Sequence, residues 1–99
     1  MIIVTGQFRI PARQIDATMP AMRRVIEGSL KETGCHAYTY AQDISEVGLF
    51  RVHEEWESRE ALDRHFSEPH MLEWQQVRES LGFHDRHVAA FEAGQREQL

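Results

Sequence analysis

The residues of this chain with the most chemistry in them are six histidines, two tryptophans and two tyrosines. His65 comes first. It falls in a short helical stretch, Arg59 to Phe66, and shares one face of it with Leu62 and Phe66. An imidazole with an ordinary pKa of about 6.5 can take a proton at neutral pH, so His65 is the candidate general base. The plainer reading is a helix histidine bonded to a backbone carbonyl. Trp56 ends a strand-like run, where its ring either walls a site for an aromatic molecule or locks the strand-to-helix turn. Gln7 lies on the mixed face of the first strand, and its amide could orient a substrate oxygen. His53 and Arg51 share a strand face, as do His36, Tyr38 and Tyr40; each set serves a pocket, an interface or cross-strand packing. A metal is not expected. His84 and His87 are three apart in a strand and so face opposite ways. His65 and His70 are five apart across a break at Pro69, and neither H-x-H nor H-E-x-x-H occurs.

The elements that must position these groups follow from periodicity. Ile2 to Ile10 reads as a strand with Ile2, Val4, Gly6, Phe8 and Ile10 on one face and Ile3, Thr5, Gln7 and Arg9 on the other. Pro11 ends it. Ile15, Met19, Met22, Ile26 and Leu30 predict a helix over about 13–32. Pro20 should kink that helix or restart it with Thr18 as a cap, and Gly34 closes it. Cys35 to Asp43 and Val47 to Trp56 form a hairpin about a polar turn. Ser58 caps the helix that carries His65, and Pro69 opens another, running to about Leu81. Phe83 to Phe91 is the fourth strand. The order β-α-β-β-α-(α)-β is the ferredoxin-like split βαβ pattern: an α+β fold with a four-stranded antiparallel sheet and helices on one face.

The even-numbered face of the first strand is too apolar to leave wet. The expectation is that it meets a second copy across a two-fold axis, which turns Gln7 toward the helices and the pocket.

Composition narrows the function. The 99 residues make one domain, 1–92, with a polar tail at 93–99. Sixteen acidic against eleven basic residues, with no basic run, argue against nucleic acid and against an anionic membrane surface. No stretch reaches the roughly 20 apolar residues of a membrane span. The single cysteine, Cys35, permits no internal disulfide and reads as inert. With no leader-like start, it suggests the cytoplasm.

One string is more specific: Glu54-x-Trp56-x-Ser58-x-x-Ala61-Leu62-x-x-His65, then Pro69-His70, with Gly34-Cys35-x-x-Tyr38 upstream. It resembles the antibiotic biosynthesis monooxygenase family, small quinol monooxygenases included, from Ile2 to about Phe91. The resemblance implies a dimeric α+β barrel that oxidises an aromatic, quinol- or anthrone-like molecule with molecular oxygen and uses no metal, flavin or haem. It makes His65 the catalytic candidate and Trp56, Gln7, Tyr38, His53, Phe66 and Leu62 the pocket candidates. Haem-degrading relatives use an Asn, a Trp and a His; Gln7, His65 and Gln75 stand at those places and match none of them, which disfavours haem degradation. The rival reading is a non-catalytic ligand-binding or structural dimer, since fold does not dictate function.

Overall fold

The computed structural model describes residues 1–99. Strand β1 (Ile2–Arg9) leads through a 3-10 turn (Ala12–Gln14) into helix α1 (Ile15–Leu30). Strands β2 (Cys35–Gln42) and β3 (Leu49–Trp56) follow, then helices α2 (Arg59–His65) and α3 (Pro69–Ser80), and strand β4 (His84–Glu92). Residues 93–99 hold no helix or strand. The sheet is antiparallel with order β2-β3-β1-β4, which puts β1 between β3 and β4. This is the ferredoxin-like arrangement, with both inner strands coming from different βαβ halves.

Local chemistry sets the element ends. The Ser58 hydroxyl accepts the Ala61 N–H at 3.2 Å and starts α2. Pro69 takes the first position of α3, where a missing N–H costs nothing. At Pro20 the expected alternative of a restarted helix does not occur. Helix α1 runs through it as one element, and Thr18 does not cap: its hydroxyl donates back to the Gln14 carbonyl at 2.7 Å. Packing of Ala21, Met22 and Val25 into the core outweighs the one lost backbone bond.

The larger correction concerns the sheet. The even face of β1 is the face the helices cover. Ile2, Val4, Phe8 and Ile10 are buried in one cluster with Val25 of α1, Leu62 of α2 and Met71 and Trp74 of α3. Three helices with apolar stripes need an apolar surface, and this is the one the sheet offers. The free face instead carries Thr5, Gln7, Arg9, Thr39, Arg51, His53 and His87, so apolar exposure of the even face gives no cause for pairing of copies.

Candidate active site

Between α2, α3 and the covered face of the sheet lies a cleft of about 390 Å³. Val4 and Phe8 of β1, Tyr38 and Tyr40 of β2, Val52 of β3 and Val88 of β4 line the sheet side; Leu62, Phe66, Met71 and Trp74 line the helix side. The polar groups in this mostly apolar setting are few: His65, Glu54, the two tyrosine hydroxyls, Arg59, Arg78 and Arg86. A small number of polar groups in an apolar cleft is the usual form of a small-molecule site.

His65 is 1% exposed and ends α2. Its ring sits over Trp56, with centroids 4.6 Å apart, and beside Tyr38 at 5.4 Å. Its Nδ1–H donates to Glu32 Oε2 at 2.6 Å. Glu32 follows α1, 33 residues away in sequence. The same carboxylate oxygen accepts the Nε2–H of His70 at 2.7 Å. A carboxylate on one ring nitrogen selects the tautomer whose other nitrogen carries a lone pair, so Glu32 leaves His65 Nε2 as the basic atom of the ring. Burial holds the His65 proton affinity below the ordinary histidine value, and Glu32 partly offsets this. The imidazole is therefore neutral at pH 7, as a base must be.

The backbone is shaped for this relay. Gly28 of α1 lies under the His70 ring, where a Cβ would come within 2.7 Å of His70 Cγ. Glu32, His65 and His70 are also the one trio of donors that converge closely enough to chelate a cation, all within 4.8 Å. Spacing along the chain argued against such a meeting. Helix α3 starts at Pro69 and packs against α1, and the His65 and His70 rings stand 6.0 Å apart beside Glu32. In this geometry both nitrogens are engaged with the carboxylate.

Glu54 is the second titratable group. It is buried in β3, and its Oε1 accepts the Trp56 Nε1–H at 2.9 Å. Burial pushes its carboxyl up to about 7, although the Trp56 bond and the Arg86 charge pull the other way. Nearby, the Tyr38 and Tyr40 hydroxyls are 2.8 Å apart, and burial drives both phenols well above their usual range. Cys35 stays a thiol, pushed up to about 11 by burial and by Glu32.

The residues singled out in the sequence divide into three sets. His65, Leu62, Phe66 and Tyr38 come together on the cleft. Trp56 is fully buried beneath it and supports the His65 ring without forming a wall. Gln7 and His53 are corrected outright, because both lie on the free face of the sheet. Gln7 accepts from Arg51 at 3.0 Å and donates to Asp85 at 3.3 Å. His53 meets Glu55 at 2.8 Å. The reversed face assignment moved both, since one strand position decides the side of the sheet. Glu32, Glu54, Arg78 and Arg86 were missed as site residues; of these only Glu54, as the first letter of the Glu54-x-Trp56 string, carried a signal. Tyr40 was legible through the strand face it shares with Tyr38.

The chain is thus a small α+β protein with a ferredoxin-like sheet and a carboxylate-held histidine on an apolar cleft. Within that class the chain belongs to the antibiotic biosynthesis monooxygenase family, whose model matches residues 1–77. It is similar to a solved structure described as an antibiotic biosynthesis monooxygenase, at 29% identity over 96% of this chain and 100% of that one, with a TM-score of 0.86. A Deinococcus radiodurans protein shares the fold at a TM-score of 0.92 and 23% identity, covering 100% of this chain and 98% of that one. An uncharacterized Synechocystis protein is 32% identical over 73 residues, 74% of this chain. The chain spans about half the length of that curated relative.

Proposed function

We propose that the protein is a cofactor-independent monooxygenase that oxidises a small aromatic, quinol- or anthrone-like molecule with molecular oxygen. The observation that carries this reading is His65, neutral and buried on an apolar cleft with its tautomer set by Glu32. Family membership supports it.

The chemistry asks little of the protein. His65 Nε2 takes a proton from the bound phenol or enol. The resulting anion is electron-rich enough to pass one electron to oxygen. The two radicals combine into a carbon–oxygen bond, protonated His65 returns its proton to the peroxide anion, and the hydroperoxide loses water to leave a carbonyl. One oxygen atom enters the product and the other leaves as water, which balances the reaction without a further reductant. The cleft contributes orientation and exclusion of water.

The reading extends to a homodimer closed over the free sheet face. Ile3 and Phe91 stand opposite each other there, and Phe91 is 57% exposed. No helix is long and apolar enough to cross a membrane.

The test is oxygen uptake with a panel of quinols and anthrones. Wild-type turnover with His65→Ala reduced about 100-fold or more is expected, the range for loss of a general base. Trp56→Phe should cost less, since Trp56 acts by packing. Absence of uptake with every compound, alongside tight binding of an unaltered small molecule, would favour the binding-protein reading instead.

A further inference from the structure

The cleft contains two guanidinium groups that the oxidation chemistry does not use. Arg78 stands one turn beyond Trp74 on α3, half-buried. Arg86, an exposed residue of β4, lines the cleft from the sheet side. Arg9, Arg24, Arg51 and Arg59 each meet a carboxylate within 4 Å; of the arginines that meet none, Arg78 and Arg86 are the two that line the cleft. The local fold takes trouble to present Arg86. Between the pairs Gln7–His87 and Arg9–His84, β4 carries one residue more than β1, a bulge with Asp85 at φ 51°. Asp85 turns to the free face and pairs with Arg9 at 2.7 Å, while Arg86 takes the cleft side with Val88 and Ala90. Bulges commonly re-aim a side chain beside a site.

The charge balance in the cleft is the reverse of the chain's. The protein is net −5, yet the one carboxylate in the cleft, Glu54, is half-neutralised by its own burial. Half-buried, uncompensated arginine is costly to hold, and Arg86 nearby raises that cost further. A ligand anion removes it. The two arginines also lie at a distinct end of the cleft. Arg86 is level with Phe8 on the sheet, whereas His65 packs by Trp56 and Tyr38, which are level with Ile2 and Val4. At about 3.3 Å per residue, Val4 to Phe8 spans about 13 Å, the length of a fused two-ring molecule with a substituent at each end.

We infer that the cleft selects an aromatic molecule bearing a carboxylate, seated with the carboxylate between Arg78 and Arg86 and its hydroxylated ring toward His65. Two planar forks suit a planar carboxylate. The orientation toward His65 rests on the monooxygenase reading; the anion subsite does not.

Calorimetric titration separates the two. The probes are 6-hydroxy-2-naphthoate, 2-naphthol and 2-naphthyl phosphate, with wild type, Arg78→Gln and Arg86→Gln, each variant checked for folding by circular dichroism. The hydroxynaphthoate should bind wild type at least 10-fold more tightly than naphthol, and added salt should shrink the gap. Each substitution should abolish most of the preference, weakening hydroxynaphthoate binding far more than naphthol binding. Equal affinity for the two, binding of neither, a preference that survives in Arg86→Gln, or tighter binding of the phosphate would overturn the inference. Oxygen consumption is not read, so this result and the monooxygenase result stand or fall apart.

Discussion

His65 and Glu32 form a unit in which one residue acts and the other positions it. Glu32 raises the proton affinity of His65 against burial. Glu32→Gln should therefore lower turnover and also shift the acid limb of the kcat/KM profile further below pH 6.5. A purely structural Glu32 would lower the rate and leave the limb in place. Glu54 makes the opposite kind of statement. Its folded pKa of about 7 lies above the unfolded 4.5, so its contribution is fully present below about pH 4.5 and is lost as pH rises through 7. Glu54→Gln keeps the acceptor for Trp56 and removes the charge. Urea melts should show the variant close to wild type at pH 4.5 and more stable at pH 8, by at most about 3 kcal/mol for a shift of this size.

At the scale of elements, the contact between α1 and α3 is built on a missing side chain. Gly28 in a helix interior costs about 1 kcal/mol against alanine, so Gly28→Ala would ordinarily stabilise. Here the Cβ meets His70 Cγ at 2.7 Å, and the ring is held on its far side by Glu32. The expected outcome is a loss of about 1–3 kcal/mol, the range for overpacking. Combining it with His70→Ala should restore the helix gain, and a double-mutant cycle by urea unfolding checks this. A stabilised single variant would mean that the ring is free to move away. Strand β1 has a related constraint at Gly6, where a Cβ would meet the His87 carbonyl of β4 at 2.0 Å. Close approach of β4 at that point positions the strand just after the bulge that presents Arg86.

For the whole molecule, the question is what covers the free sheet face. That face is polar over most of its area and apolar at Ile3 and Phe91. Sedimentation at micromolar concentration should give twice the 11.6 kDa chain mass, and Phe91→Asp should shift the protein toward that single mass. A monomer that still turns over substrate would show the cleft to be complete within one chain. Every side chain that lines it comes from this chain.

Sequence patterning was enough for the element order, the hairpin and the Ser58 cap, and the resemblance carried by the Glu54-x-Trp56 to His65 string was enough for the family. These depend on neighbours within a few residues, and alternation or helical spacing records them directly. Which face of β1 lies under the helices was not legible in the same way. Alternation divides a strand into two faces, but three separate helices must dock before one face is covered. That decision carried Gln7 and His53 out of the site. Glu32 and His70 stand 38 residues apart and meet only because α3 packs against α1. Arg78 and Arg86 come from a helix and a strand that share no local pattern. Chain spacing measures separation along the backbone, whereas proton transfer and charge pairing act through a few ångströms of space, and only tertiary packing converts one into the other.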